Sequence, residues 1–464
     1  MKKKFKLRDA ILSVICVVFV AEAAAPVASI GNSQFFWWIF MIIAFLLPYG
    51  LISSELGTAY EGEGGLYDWT RKAFPNKKWG ARVAWWYWIN FPLWMASLAV
   101  MCPDLITMAT GIELGVVPSL LIQLAYIWIV TIIAFFPICD NIILLNISAA
   151  VKVILAVFVG GLGIYYVINN GFANDMSAGS FLPSFDLNSL SYISVIIFNC
   201  LGFEVVCTFS KDMQNPKKQI PQAIVIGGLV IAAIYLFGGF GIGAAIPTHE
   251  INTDSGMLDA VSLMTGSTSG ALITGVALLF MFTLFGNMIS WSMGVNSVAA
   301  YAVDNGDMPA VFKKRWAKND MPIGAAIMNG VIATIVCLLG VVIDIFFPDS
   351  SLFWTFFALN LIMLLISYLP VFPAFLKLRK MDPDTERPFK VPGGPTALKF
   401  MAIIPMVLIL ISLVFTALPM SFDAETLGAT LPITIGAIAC VLLGEVLIVI
   451  RDKKKARLSP HDDE

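Results

Sequence analysis

Two carboxylates stand in stretches of this chain that are otherwise apolar. Glu22 lies within Val20-Ala21-Glu22-Ala23-Ala24-Ala25-Pro26-Val27-Ala28-Ser29-Ile30, and Glu204 closes Phe198-Asn199-Cys200-Leu201-Gly202-Phe203-Glu204. A charge near the centre of a bilayer costs roughly 2.5–3.5 kcal/mol on insertion scales, so a carboxylate at that depth is read first as functional. Each carboxylate also has a neighbour that interrupts a helix. Pro26 lacks an amide hydrogen and crowds the preceding turn. Gly202 lets the backbone leave helical geometry cheaply. Irregular backbone is tolerated at membrane depth only where it is buried in protein or lines a cavity. Facing each other across such a cavity, Glu22 and Glu204 offer two negative charges, which suits a small organic dication.

Competing readings are bland. Helical phase can turn Glu22 toward another helix or the inner vestibule. Glu204 can be satisfied by backbone or Asn199-type amides and do only a structural job. Gly202 can serve close helix packing. The cationic start, Lys2, Lys3, Lys4, Lys6 and Arg8, followed by the apolar run 10–20 and Ala21-Glu22-Ala23, also has the form of a signal peptide with its cleavage site.

The elements that must carry these residues are apolar helices. The chain has 464 residues, 58% of them hydrophobic and 13% charged, a composition foreign to water-soluble domains. Twelve stretches are long enough to cross a hydrocarbon core of about 30 Å: 10–30, 35–58, 81–110, 117–137, 143–168, 189–211, 221–246, 268–303, 322–346, 352–374, 400–420 and 431–450. The expected fold class is all-α, a polytopic membrane protein with 12 transmembrane helices. With both termini on the cytoplasmic side of the cell membrane, 28 of the 29 lysines and arginines fall in inner segments or tails. The exception, Lys152, lies within a span. The outer loops carry acids instead, among them Glu113, Asp175, Asp186, Glu250, Asp254 and Asp349. An acidic mouth concentrates cations, although positive-inside sorting leaves acids outside by default.

One domain is expected over 1–464. Five helices in 10–168 are repeated in inverted order in 189–374, two more follow in 400–450, and 451–464 is a charged tail. The first helix of each repeat is the interrupted one, which points to a binding site at the midplane. The seven cysteines show no metal-ligand spacing, and two histidines cannot build a zinc, haem or histidine-based catalytic set. No cofactor, no metal, no nucleic acid and no enzymatic reaction is expected. The expected partners are the lipid bilayer and a small organic cation or amino acid, and a homodimer is one compatible assembly.

Four motifs sharpen this. Glu204 is followed by Lys211-Asp-Met-Gln-Asn-Pro-Lys-Lys-Gln-Ile-Pro221. Glu63-Gly-Gly-Leu-Tyr-Asp-Trp69, Asp307-Met-Pro-Ala-Val-Phe312 and Arg387-Pro-Phe-Lys-Val-Pro-Gly-Gly394 follow the second, eighth and tenth spans. In this order the chain, from about residue 8 to 450, resembles the amino acid–polyamine–organocation transporters, in particular their glutamate:GABA antiporter branch. The resemblance implies a LeuT-like fold of five plus five inverted helices with the first and sixth broken, and alternating-access exchange. It also implies that the first break, including Ala23 and Ala25, lines the substrate site. Trp291 and Phe198 match cavity-lining and gating aromatics, with Trp94 as a further candidate, and an indole face attracts ammonium groups by roughly 0.5–2 kcal/mol. Lys152 stands where relatives bind sodium, as a fixed cation or proton carrier; snorkelling to the inner surface is its plain alternative. Asp104 and Glu55 lie near span ends and read as interfacial or gating residues.

The first break departs from the usual glycine-rich, carboxylate-holding form. It has no glycine before Gly31, and it contains Glu22. That disfavours an amino acid carboxylate and favours an amine. The expected function is exchange of small organic cations, with agmatine entering and putrescine leaving. An amino acid antiporter of the same branch, glutamate/GABA or tyrosine/tyramine, is the alternative.

Overall fold

The computed structural model describes residues 5–20, 23–62, 64–74, 77–183, 185, 187–252, 255–346 and 351–458. Glu22 and Ala21 lie outside the described residues, as do Glu63 of the second-loop motif and the outer acids Asp186, Asp254 and Asp349.

The chain opens with α1 (Leu7–Val18), whose N-terminus is held where the Lys6 amide donates to Asp9 Oδ2 at 3.0 Å. α1 stops where Phe19 takes extended backbone, and helix resumes as α2 (Ala24–Ala28) and α3 (Ser33–Met41). Pro26 was expected to break a helix. It sits instead in the first turn of α2, where amide hydrogens have no intrahelical acceptor and a proline costs little. A five-residue π-helical stretch, Ile42–Leu46, leads into α4 (Leu47–Ala59), and a short α5 (Gly65–Ala73) follows.

The long spans come next: α6 (Lys77–Thr110), α7 (Val116–Ile133) and α8 (Ile138–Asn170). α8 begins five residues before the expected span 143–168, because Pro137 caps it there. Then α9 (Leu187–Phe198) ends, residues 199–204 run irregularly, and α10 (Val205–Thr208) gives one turn. The remainder is α11 (Pro216–Ala245), α12 (Gly256–Thr265), α13 (Ala271–Asp304), α14 (Ile323–Phe346), α15 (Leu352–Tyr368), α16 (Val371–Met381), α17 (Pro395–Ala417) and α18 (Ala424–Leu458). Among the described residues there is no β-strand; one isolated bridge joins Phe5 to Met213.

Ten helical segments among the described residues are long and apolar enough to cross a membrane. The chain is therefore an all-helical, multi-pass membrane protein. α1 packs on α8, α11 and α13, while α6 packs on α13 and α15, so both irregular stretches lie inside the bundle. α17 and α18 stay at the margin. They turn Ile403, Val407, Leu410, Val414, Ile435, Ile438, Leu442 and Val446 outward, an apolar face that a lipid environment covers at no cost.

Candidate substrate site

The irregular stretch after α9 is shaped by Gly202, whose φ of 98° lies in the region L-residues rarely adopt. A Cβ there would come within 2.7 Å of the Trp291 ring. The glycine thus supplies both the turn and the room for the indole. The turn presents Glu204, buried in the bundle and accepting three phenolic hydrogen bonds. Tyr87 of α6 donates to Oε1 at 2.8 Å, Tyr368 at the end of α15 also donates to Oε1, and Tyr49 of α4 donates to Oε2. The Tyr368 hydroxyl also accepts from the Gly202 amide at 3.2 Å, closing the turn onto the same cluster. Hydrogen bonds to a charged group are worth roughly 1.5–3 kcal/mol each, which offsets much of the cost of holding a carboxylate at this depth.

The end of α1, where the backbone leaves the helix at Phe19 and Val20, is held by a cation. Lys152 reaches from α8 and donates through Nζ to Cys16 O at 2.7 Å and to Phe19 O. The Asn287 side chain donates to Val17 O at 3.0 Å and Cys16 O at 3.3 Å. The Tyr235 hydroxyl accepts from the Val20 amide at 2.8 Å. These are the carbonyls a helix C-terminus leaves without partners, and a cation is favoured there by the helix dipole. Lys152 is 1% exposed, so its ammonium turns inward to the backbone rather than out to the inner surface.

Aromatic rings close one side. Trp94, Phe198 and Phe357 pack edge to face with centroids 4.9–5.4 Å apart, and Trp94 Nε1 donates to Asn287 Oδ1 at 3.2 Å. Tyr87 lies 6.2 Å from Trp291. Several buried polar side chains on the elements that build this region lack partners among the described residues. Both side-chain atoms of Asn199 and of Asn360, Trp291 Nε1 and Ser290 Oγ are buried without a hydrogen-bond partner among the described residues. Such a group costs about 1–3 kcal/mol when left unpaired, a cost that a bound ligand or water relieves.

The family description "Amino acid permease" matches residues 5–442, nearly the whole chain. The chain belongs to the amino acid permease family. A relative from Lactococcus lactis subsp. lactis, named "Probable agmatine/putrescine antiporter AguD", is 60% identical over 447 residues, covering 96% of this chain and 95% of its own. A glutamate/gamma-aminobutyrate antiporter of the same organism is 24% identical over 299 residues, covering 62% of this chain and 58% of its own. Among solved structures, a manganese transporter from Eremococcus coleocola superposes with a TM-score of 0.60 at 12% identity, over 98% of this chain and 95% of that one. At that identity the likeness speaks for the shared fold alone.

In this permease the residues singled out from sequence fall into three groups. Asn199, Gly202, Glu204 and Trp291 gather at the turn after α9, with Phe198 and Trp94 in the adjoining aromatic cluster. Lys152 belongs to the first irregular stretch. Ala23 and Ala25 are buried beside it, and a Cβ at Gly256 of α12 would lie 3.0 Å from the Ala25 methyl. Glu22 lies outside the described residues.

Tyr49, Tyr87, Tyr368, Asn287, Tyr235 and Asn360 went unnoticed in the sequence reading. Their one signal was a polar tip inside an apolar span, since a buried tyrosine hydroxyl needs a partner. Glu55, read as interfacial or gating, is buried at the end of α4. It accepts from Arg379 and from the Val391 amide at 2.7 Å, and pairs with Arg387 at 3.2 Å. It thereby ties the Arg387–Gly394 motif to the bundle.

Proposed function

We propose that this permease exchanges small organic cations across the cell membrane, taking up agmatine against putrescine. The carrying observation is Glu204, a buried carboxylate at a helix interruption, cradled by three phenols and flanked by Trp291 and Phe198. Two carboxylate oxygens offer about four lone-pair sites. Three tyrosine hydroxyls leave room for one further donor, which suits an ammonium or guanidinium group. The unpartnered amides of Asn199 and Asn360 add donors and acceptors for the remainder of a diamine, and the aromatic cluster covers its methylenes. The 60% identical relative supports the same substrate pair.

In this reading the ten uninterrupted spans are joined by two interrupted ones, α1–α2 and α9–α10, to make twelve. Residues 10–168 and 189–374 form the inverted repeats, 400–450 adds two helices, and both termini face the cytoplasm. Glu22, at the first interruption, supplies the second negative charge, opposite Glu204. Both substrates carry about two positive charges, so a one-for-one swap moves no net charge. The empty carrier reorients poorly, because its carboxylates are left without a cation in a medium of low dielectric. Exchange is therefore obligatory.

Proteoliposomes loaded with putrescine test this. Labelled agmatine should enter saturably and only against internal putrescine. Equal uptake into empty vesicles would sink obligatory exchange. Uptake of glutamate or tyrosine in place of agmatine would move the chain to the amino acid antiporters. Glu22→Gln should cripple diamine exchange while the protein still folds.

A further inference from the structure

A cavity lies away from Glu204, at the basic end of the bundle. It encloses about 440 Å³ between the start of α6, the loop after α13 and the end of α18. Its depth is apolar, lined by Trp85, Val303, Leu447 and Ile448. Its rim is cationic, with Lys313, Arg451 and Lys454 against one carboxylate, Asp307. Lys313 and Lys454 are exposed and neither forms an ion pair among the described residues. Asp307 is already committed, accepting from Tyr67 at 2.8 Å and from Arg451 at 2.9 Å. Arg451 also pairs with Asp452 at 2.7 Å, and the nearby Glu445 is held by Arg82 at 2.5 Å. The walls are fixed: Trp85 Nε1 donates to Cys440 O at 2.9 Å, which pins α18 to α6.

The cavity therefore has an apolar floor continuous with the outward apolar face of α18 and two uncommitted ammonium groups above it. We propose that it binds an anionic phospholipid of the inner leaflet, with the phosphate between Lys313 and Lys454 and the first acyl segments along Leu447 and Ile448. A free anion has no use for the floor, and a zwitterionic headgroup brings its own cation against the lysines. Basic pockets between helices on the cytoplasmic side are where acidic headgroups bind. The assignment uses the cytoplasmic placement of the C-terminus and is independent of the transported substrate.

The test is retention of lipid by the full-length protein in native mass spectrometry, with thermal stability as a second readout. Phosphatidylglycerol should be retained over phosphatidylcholine and should raise the melting temperature. The double variant Lys313→Gln/Lys454→Gln, at exposed positions, should lower that retention about 30-fold. Unchanged retention in the variant, or equal retention of phosphatidylcholine, overturns the proposal. An equal thermal shift with inorganic phosphate alone would assign a free-anion site instead. Phosphatidylglycerol binding that appears only after the chain is shortened to Leu458 would give the cavity to the acidic tail.

Discussion

The two interruptions of this permease are built on opposite chemistry. Where α1 ends, a protein cation and two fixed polar side chains take up the loose ends: Lys152 and Asn287 cap the carbonyls of α1, and Tyr235 receives the Val20 amide. Around residues 199–204, the protein supplies an anion, Glu204, with donors from three separate helices, and leaves Asn199, Trp291 Nε1 and Ser290 Oγ unpaired. In the first region the backbone groups of residues 16, 17, 19 and 20 are met by the chain's own side chains. The second holds a negative charge and spare hydrogen-bonding capacity, and so has something left to offer a cationic guest. An interruption alone does not make a subsite; what the surrounding helices leave unsatisfied does.

The strongest challenge to this contrast is Glu204→Gln. Truncating one partner of a buried charged hydrogen bond costs about 2–5 kcal/mol, so counterflow of labelled agmatine should fall at least about 30-fold. The amide keeps the shape, and the purified protein should keep its circular dichroism. Exchange within twofold of the parent would remove Glu204 from the site.

Lys152→Gln probes the other side. It leaves the Cys16 and Phe19 carbonyls without their cation, and the expected loss is about 1–3 kcal/mol of stability, read as a lower melting temperature in detergent. A variant with unchanged stability but lost exchange would show that the first interruption is not a structural closure.

Asn199→Ala should do the reverse. Deleting an unpaired buried amide should leave stability unchanged within about 1 kcal/mol, or raise it. The KM for agmatine should increase about tenfold if the amide serves the cargo. A large drop in melting temperature would mean that the amide already has a structural partner.

The smallest effect belongs to Trp291→Phe. The ring face stays and part of the cation–π attraction goes, about 0.5–1 kcal/mol. A two- to fivefold rise in KM with unchanged maximal rate is expected. No change in KM would reassign the indole to packing against Gly202.

Much of this contrast was legible in the sequence, and the unread part has a common cause. Helix interruption is local: Gly202 and the polar residues around it declare themselves within six positions, and the long spans follow from apolar run length. Partners are not local. Tyr49, Tyr87 and Tyr368 stand 155, 117 and 164 residues from the carboxylate they serve, and the arginine that grips Glu55 is 324 residues away. Pairings over such spans are set by how helices stack, which hydropathy does not encode. Pro26 was misread for a related reason: a proline signals the edge of a helix, and only the fold says whether that edge is an end or a beginning.

Phe5 carries one more consequence. Its amide donates to Asp212 O at 2.9 Å, and its carbonyl accepts from the Gln214 amide at 3.2 Å and from the Gln219 side chain at 3.1 Å. The lead-in to α1 is thus stitched to the strip that leaves α10. Displacing either segment alone would strain or break these three hydrogen bonds.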